Sequence, residues 1–441
     1  MSDLLKLFRL HRIRRFAEVW RTEGARAAFR GARRHLAMAR HGHVESVVAA
    51  APAPAGAPAP ETCALTQIWT ELARKDAFHV TTAPAVLRRR RRVAMIGDLN
   101  LPQCRKYRVE QLDEIWGAAD VGYGFAHYED IPRCLDLLQG ATHLMIYRLG
   151  QSRLAEMYLY EARRLRLPVI YDIDDPLFSF AAYETYGNGA AMPDDLRRHL
   201  VGQSPAYLAV MSQADMLCLS TPGLAETAAA HSPRPVFLRR NFADRATLEM
   251  GRRAAGVKKR NGFTIAFASG SMGHEIDFLT IRSELGEFFA GAEDRRLLVL
   301  GQFDLDRLPP ALAERADVVP FRDYPGYLAA LARADCAILP LADDAFNRCK
   351  SAVRVIDAAA VGVPSVVGPV GDGQAVVRDR VTGLFAAPGS GGWRAALERL
   401  AEDPLGAARM GRAARADLEA RWSASVEMPV VSPGLVAEIT G

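Results

Sequence analysis

The sequence has no long apolar runs and no closely paired cysteines. None of its apolar stretches approaches the roughly 18 residues of a membrane-spanning helix. Basic residues interrupt Leu4 to Trp20, so we do not expect a secretory signal there. Its 6 cysteines form no CxxC pair, which argues against a zinc ribbon or a disulfide framework. The scattered cysteines favour a reducing cytoplasm, and 49% hydrophobic and 24% charged residues predict a globular protein.

Positive charge is concentrated near the start of the chain. Residues 1–92 contain 18 Lys/Arg and 7 Asp/Glu, a net charge of +11, whereas the whole chain has 56 − 51 = +5. The remainder therefore has 5 − 11 = −6. A mildly acidic body argues against nucleic-acid binding, because nucleic-acid-binding proteins carry their basic surface on the folded domain.

The basic N-terminal segment is predicted to be helical from about Ser2 to Arg40. Its apolar residues share a broad arc that Arg9 and Arg12 interrupt. One interpretation is that residues 1–40 lie on an anionic inner-membrane surface, where each nearby Lys/Arg contributes about 1 kcal/mol. The alternative is a helix packed on the body or a solvated tail.

Short apolar runs alternate with helical patterns from Val93 onward, which predicts βαβ units and mainly parallel sheets. The alternation breaks between Asn241 and Gly262 and restarts at Phe263. We therefore predict an α/β protein of two Rossmann-like doubly wound domains facing a cleft, with a basic helical N-terminal extension. The predicted segments are the extension over 1–50, a Pro/Ala linker and lead-in over 51–92, the first domain over 93–245, a hinge over 246–261, the second domain over 262–422 and a tail over 423–441.

A loop of small residues follows the first predicted strand of the second domain. Strand Phe263–Phe267 precedes Ser269, Gly270 and Ser271, and His274 stands at the start of the next helix. Small residues let the backbone approach a ligand closely, and a helix N-terminus attracts phosphate. The alternative is a tight strand-to-helix turn that His274 caps.

Two cations follow a later strand of the same domain. Arg348 and Lys350 precede a predicted helix that carries Asp357. Cations at a strand end suit a pyrophosphate, and Asp357 is placed to accept hydrogen bonds from ribose hydroxyls. The alternative is a surface loop with solvated charges, followed by an ordinary packed helix.

These motifs together resemble those of the retaining glycosyltransferases of family 4 (group 1), which have the GT-B fold. Residues 350–367 are similar to the family's acidic helix and Gly-x-Pro strand, and Ser269–Phe278 is similar to the signature of a bacterial polysaccharide-type branch. The resemblance covers roughly residues 93–422. Further similar segments are Val381–Phe385, Gln103–Arg108, Ile170–Phe178, Ser220–Pro222 and Asn241.

The resemblance implies transfer of a sugar from a nucleotide-diphosphate sugar, bound by the second domain, to a glycan or lipid-linked acceptor on the first. Surface polysaccharide synthesis is the implied setting. It implies no metal cofactor, because fixed cations and a helix N-terminus can stabilise the leaving diphosphate. The implied roles are catalytic for His274, Lys350 and Asp357, donor-binding for Ser269, Gly270, Ser271, Asp277, Asn347 and Arg348, and acceptor-side for Arg105, Tyr107, Arg108, Asp174 and Asp175.

One position departs from the family pattern. The family has a pair of glutamates, of which the second falls on Asp357 and the first on Cys349. A thiol is a weak acceptor and is uncharged at neutral pH, so we expect Asn347 or Lys350 to replace that contact. Two other functions stay open: a sugar-nucleotide epimerase of similar architecture and a catalytically inactive binding subunit.

Three carboxylates, Asp172, Asp174 and Asp175, lie at the end of an apolar strand of the first domain. They repel one another unless cations compensate. One interpretation is the D-x-D metal site of single-domain (GT-A) glycosyltransferases. We prefer an acceptor-side or structural role, with pairing to Arg105 or Arg108, because the second domain already supplies phosphate donors.

Overall fold

The structure, a computed structural model, describes residues 90–256, 262–270, 273–387, 389, 391–424 and 430–441, together with residues 20, 21 and 25. These last three are helical. The rest of the predicted N-terminal helix, the linker, the first two arginines of the 88–92 run, Ser271 and residues 257–261 of the predicted hinge lie outside the described residues. Both sheets belong to one compact unit of the chain, Trp69–Gly441.

The first domain is built on six parallel strands in the order β2-β1-β3-β4-β5-β6. Its central strands are continuous apolar runs because helices cover both faces of the sheet. The strand order reverses between β1 and β3. The strands are β1 (Arg92–Gly97), β2 (Gly122–His127), β3 (His143–Tyr147), β4 (Val169–Ile173), β5 (Met216–Leu219) and β6 (Val236–Leu238).

The second domain repeats this plan with six parallel strands in the order β12-β11-β10-β7-β8-β9. Counted from its first strand, the order is that of the dinucleotide-binding fold, and it reverses between β7 and β10. Ligands of such sheets bind outside the carboxyl ends of the strands at the reversal. The strands are β7 (Thr264–Ser269), β8 (Arg296–Gly301), β9 (Ala316–Val319), β10 (Cys336–Leu339), β11 (Ser365–Val367) and β12 (Gly383–Phe385).

Helices cover both faces of each sheet. Those of the first domain are Pro102–Arg105, the π-helical turn Lys106–Glu110, Leu112–Ala118, Ile131–Gly140, Arg153–Arg164, Phe180–Thr185, the 3₁₀ turn Gly187–Ala191, Asp194–Gly202, Ser204–Gln213 and Pro222–Ala229. Those that follow are Arg245–Ala254, His274–Leu279, Arg282–Ala290, the 3₁₀ turn Leu305–Arg307, Pro310–Ala313, Tyr324–Leu331, the 3₁₀ turn Asn347–Cys349, Val353–Ala360, Gly373–Val376, Gly392–Glu402, Pro404–Arg421 and Pro433–Thr440. The two-domain α/β prediction is therefore confirmed. Among the described residues, no helix is both long and apolar enough to cross a membrane.

The helix Pro433–Thr440, within the predicted tail, packs on the first domain. Leu435 and Ile439 are fully buried in a cluster with residues of β1, β3 and β5. The backbone amide of Ser432 donates to the carbonyl of Leu238 at the end of β6. The tail therefore completes the core of the first domain.

The predicted hinge contains a regular helix. Arg245–Ala254 begins at Asp244, whose carboxylate accepts from the backbone amide of Thr247, as an N-cap residue does. The helix packs closely on Val353–Ala360, since a Cβ on Gly251 would lie 2.3 Å from the carbonyl oxygen of Ala360. The hinge role of 246–261 stays a prediction.

Candidate functional site at the domain interface

The candidate site lies at the carboxyl ends of β7 and β10, where the strand order of the second sheet reverses. Ser269 ends β7 and is fully buried, whereas Gly270 is exposed. Gly273 precedes the helix His274–Leu279 with a φ of 97°, a conformation that favours glycine. A Cβ there would lie 2.5 Å from the carbonyl oxygen of Asn188 in the first domain. Gly273 therefore permits close contact between the domains.

Asp277 is the centre of a buried hydrogen-bond network. Its Oδ1 accepts from Nδ2 of Asn347 at 2.8 Å and from the backbone amide of Ala342 at 3.0 Å. Its Oδ2 accepts from Nδ2 of Asn188 at 2.6 Å and lies 3.3 Å from Nδ1 of His274. Burial acts to raise the pKa of Asp277, but the hydrogen bonds from His274, Ala342 and Asn188 hold it below its ordinary value. Asp277 therefore orders the loop and connects the domains.

His274 is neutral at physiological pH. It is 6% exposed, and burial, followed by the nearby charge of Arg354, lowers its pKa to about 4. Lys350 acts in the same direction. An uncharged imidazole can donate or accept a hydrogen bond at a ligand, but it does not supply a fixed positive charge.

Lys350 lies at the boundary between the domains. Its Nζ is 3.0 Å from Oδ1 of Asp175 in the first domain and 4.7 Å from the ring centroid of Phe346. Burial would lower the pKa of Lys350, but Asp175 raises it above its ordinary value. Lys350 is thus a charged, partly buried side chain at the reversal of the second sheet.

Asp174 and Asp175 are neutralised by an arginine that the sequence pattern did not single out. Nη1 of Arg148 lies 3.1 Å from Oδ1 of Asp174 and 3.3 Å from Oδ2 of Asp175. Burial acts to raise the pKa of Asp175, but Lys350 and Arg148 hold it below its ordinary value. Arg148 follows β3 directly, next to the strand that ends before these acids, and this adjacency in the sheet is not visible in the sequence.

Arg348 does not face Lys350, and this corrects the predicted arginine–lysine pair. Its side chain is 63% exposed, and its Nε lies 2.7 Å from Oδ1 of Asp343. Residues 347–349 form a 3₁₀ turn, in which successive side chains point about 120° apart. Lys350 therefore points into the interface and Arg348 points to solvent.

Asp357 is buried beneath three tyrosines. Its Oδ1 accepts from the hydroxyl of Tyr324 at 2.6 Å and from the hydroxyl of Tyr107 in the first domain. Tyr327 also contributes a hydrogen bond. Burial raises the pKa of Asp357 to about 6. The ribose contact of Asp357 stays a prediction, and the tyrosine hydroxyls compete with a ribose for its carboxylate.

The two predicted acceptor-side arginines differ in their partners. Arg108 forms a fully buried bidentate pair with Asp172 at 2.9 and 2.8 Å, and Arg239 binds the same carboxylate at 2.9 Å. The predicted pairing of the acids with Arg108 is thus present at Asp172. Nε of Arg105, by contrast, lies 2.7 Å from Oε1 of Glu110 at the surface. Among the described residues, no group of three His, Cys, Asp or Glu side chains is arranged to hold a metal ion.

Cys349 and Phe346 belong to the packing between the domains. Both lie in a buried cluster made mainly of first-domain residues, and Phe346 stacks on Tyr186 with the ring centroids 4.1 Å apart. Sγ of Cys349 lies 3.3 Å from Oγ1 of Thr227. Burial raises the pKa of Cys349 to about 11. The position where the family has a glutamate is therefore an apolar contact in this chain.

Arg354 is a second charged residue, after Arg148, that sequence reasoning missed. It lies in the first turn of the helix Val353–Ala360, and its Nη1 donates to the carbonyl of Ala268 in β7 at 3.1 Å. A signal was present, because Arg354 interrupts the apolar run that leads to Asp357, four residues after Lys350. The carboxyl end of β7 thus carries Arg354 in addition to His274 and Lys350.

One family model matches part of the second domain, and several solved structures are similar to this chain. Residues 281–403 match the family model described as "Glycosyl transferases group 1". No curated protein sequence matches the chain. Among solved structures, sucrose-phosphate synthase from Thermosynechococcus elongatus is similar with a TM-score of 0.49 and 17% identity, over 75% of this chain and 94% of that one. A glycosyltransferase from Rickettsia africae is similar with a TM-score of 0.48 and 9% identity, over 75% of this chain and 93% of that one.

Anabaena HepE in complex with UDP and glucose gives a TM-score of 0.46 and 13% identity, over 79% of this chain and 96% of that one. The family match extends from just before the helix Arg282–Ala290 to just after Gly392–Glu402. It therefore includes Lys350, Arg354 and Asp357 of the second domain.

Proposed function

We propose that the protein is a glycosyltransferase of the retaining type. It moves a sugar from a nucleotide-diphosphate sugar, bound at the second sheet, to a glycan or lipid-linked acceptor at the first, in surface polysaccharide synthesis. The match of residues 281–403 to the group 1 glycosyltransferase family model supports this proposal. The match includes the segment from Lys350 to Asp357, whereas His274 and Asp277 of the candidate site precede it.

The observation that carries the proposal is the position of Lys350. Its charged, half-buried ammonium lies at the reversal of a sheet with the dinucleotide-binding strand order. As the glycosidic bond breaks, negative charge develops on the departing diphosphate. A fixed cation in a site of restricted water access stabilises that charge. Lys350 would thus stabilise the departing diphosphate with a charge that belongs to the chain itself.

The remaining predicted donor residues have supporting roles in this proposal. Asp277 holds His274 and Asn347 in place, and neutral His274 is available to donate a hydrogen bond to a phosphate or sugar hydroxyl. Asp175 and Asp174, held by Arg148, line the acceptor side near Lys350. Residues 1–40 would bring the enzyme to an anionic inner-membrane surface.

The test is turnover of radiolabelled nucleotide sugars, beginning with UDP- and GDP-sugars. Transfer to a glycan or lipid-linked acceptor, or slow hydrolysis, supports the proposal. A changed free sugar nucleotide would identify an epimerase instead. If the protein neither binds nor turns over any sugar nucleotide in the panel, the proposal is contradicted.

A second candidate, a non-catalytic nucleotide-sugar-binding subunit, is favoured by the burial of Cys349 against the first domain. At this position the family has a glutamate, and a buried thiol with a raised pKa supplies no equivalent charge. Saturable binding of a sugar nucleotide without transfer, hydrolysis or epimerisation would support this candidate over the enzyme.

A further inference from the structure

We infer that Arg354 binds the diphosphate of the donor, in place of the exposed Arg348. This inference rests on the proposed function and names a residue of the same site. Arg354 lies in the helix Val353–Ala360, and its guanidinium reaches the carbonyl of Ala268 at 3.1 Å. Ala268 is the penultimate residue of β7, directly before Ser269. The guanidinium therefore lies at the point where the order of the strands reverses.

Arg354 differs from its neighbouring cations in having no carboxylate partner. Lys350 pairs with Asp175, and Arg148 pairs with Asp174 and Asp175. Among the described residues, no carboxylate forms an ion pair with Arg354, and the carbonyl of Ala268 accepts the hydrogen bond that its guanidinium donates. A half-buried cation with a single neutral acceptor is under-compensated, and an anionic ligand supplies the missing charge.

The nearest acid does not fill this role. Asp277 acts on Arg354 through its charge, but both of its carboxylate oxygens are already engaged. Oδ1 accepts from Asn347 and Ala342, and Oδ2 from Asn188 beside His274. Asp277 is therefore committed to holding the loop.

The surroundings of Arg354 also favour an anion. Lys350 and Arg354 are close enough to repel each other, because the charge of Arg354 acts to lower the pKa of Lys350. Both cations also act to lower the pKa of His274. Tyr186 of the first domain is also close enough to act on Arg354, so the guanidinium is near the first domain. A diphosphate relieves the repulsion between two like charges, and a planar guanidinium can bind two phosphate oxygens at once.

The experiment measures binding of UDP, GDP and ADP, and of the corresponding nucleosides, to the full chain by isothermal titration calorimetry. For the nucleoside diphosphate that binds the wild type, Arg354→Ala is expected to weaken binding at least about 10-fold. Arg354→Lys is expected to recover part of that loss, because it keeps the charge without the bidentate geometry. Binding of the nucleoside is expected to be unaffected.

The matched control is Arg348→Ala, which removes the exposed arginine of the preceding 3₁₀ turn, where it pairs with Asp343. It is expected to bind the nucleoside diphosphate as the wild type does. Arg354→Gln keeps a donor for the Ala268 carbonyl and replaces Arg354→Ala if the latter fails to fold. Unchanged diphosphate binding in a folded Arg354 variant overturns this inference alone. A wild type that binds no nucleotide overturns the proposed function and this inference together.

Discussion

The ammonium of Lys350 in the second domain lies 3.0 Å from a carboxylate oxygen of Asp175 in the first. The same carboxylate is bound by Arg148, which also holds Asp174. Two cations and two acids therefore balance across the domain boundary. A ligand phosphate at Lys350 would compete with Asp175 for the ammonium. Binding of a ligand to the second domain would therefore weaken this contact with the first domain.

Removing Lys350 tests its proposed part in catalysis. Lys350→Ala is expected to lower kcat/KM by about 100-fold or more, because a fixed charge at a developing anion contributes on that scale. The fold is expected to survive, since Arg148 still compensates Asp175. The control Arg348→Ala removes an exposed ion pair of little energetic value. Equal kinetics for wild type and Lys350→Ala would remove the residue from the site.

Tyr107 and Tyr324 provide a matched pair for testing the ribose contact of Asp357. Both hydroxyls donate to Oδ1 of Asp357, but only Tyr107 comes from the first domain. Tyr107→Phe removes a competitor for Asp357, so nucleoside diphosphate binding is expected to tighten by about 3- to 10-fold, the value of one net hydrogen bond. Tyr324→Phe leaves the contact between the domains intact and is expected to have the smaller effect in calorimetry. Weaker binding by Tyr107→Phe would contradict this account.

Placing a glutamate at position 349 is expected to destabilise the protein. Cys349 is fully buried, with its Sγ against the hydroxyl of Thr227 and the carbonyl of Ala345. The ammonium of the adjacent Lys350 is already paired with Asp175. Burying an unpaired carboxylate costs about 3 kcal/mol or more of unfolding free energy. Cys349→Ala is expected to cost only about 1 kcal/mol. Denaturant unfolding measures both, and a Cys349→Glu variant as stable as wild type would show that this position can reach solvent.

His274 predicts a pH dependence of stability. Its folded pKa of about 4 lies below the ordinary value of 6.5, so the unfolded chain binds a proton that the folded chain excludes. Its contribution to stability is therefore complete above pH 6.5 and is lost as the pH falls toward 4, by up to about 3 kcal/mol. His274→Gln should lack this component.

Asp357 contributes to the pH dependence of stability with the opposite sign, so its contribution must be subtracted. Burial raises the folded pKa of Asp357 to about 6 from 3.8, so its contribution falls as the pH rises through the same interval. The measured quantity is therefore the difference in unfolding free energy between wild type and His274→Gln at each pH. A difference that does not change between pH 4 and 6.5 would mean that His274 titrates normally in the folded protein.

The last prediction concerns membrane binding by the basic N-terminal segment, most of which lies outside the described residues. Deleting residues 1–60 is expected to abolish sedimentation with liposomes that contain phosphatidylglycerol, because about 1 kcal/mol per nearby Lys/Arg is lost. Neutral phosphatidylcholine liposomes are the control. Binding retained by the truncated chain would refute the membrane contact.

Much of the fold followed from the sequence because buried parallel strands are continuous apolar runs. The limits of β3, β5, β10 and β11 match runs that are apolar in the sequence. The strand β2, Gly122–His127, contains two glycines, which are disfavoured in strands. The strand β6 has only 3 residues and falls below the length that a pattern can identify.

The site was less predictable because its contacts join distant parts of the chain. The loop that carries Lys350 could be located, but the side-chain directions in its 3₁₀ turn could not, and these send Arg348 to solvent. The partner of Lys350 is Asp175, which no local pattern connects to it. Arg354 was overlooked because the sequence pattern of an apolar helix does not distinguish an arginine that faces solvent from one that faces a ligand.

The return of the helix Pro433–Thr440 to the first domain has a consequence for biosynthesis. The surface that Leu435 and Ile439 cover is translated long before they are, so the earlier half leaves the ribosome with apolar surface exposed. We expect a nascent chain halted before this helix to depend on chaperones. Fusion partners placed after it would be tolerated better than truncations that remove it.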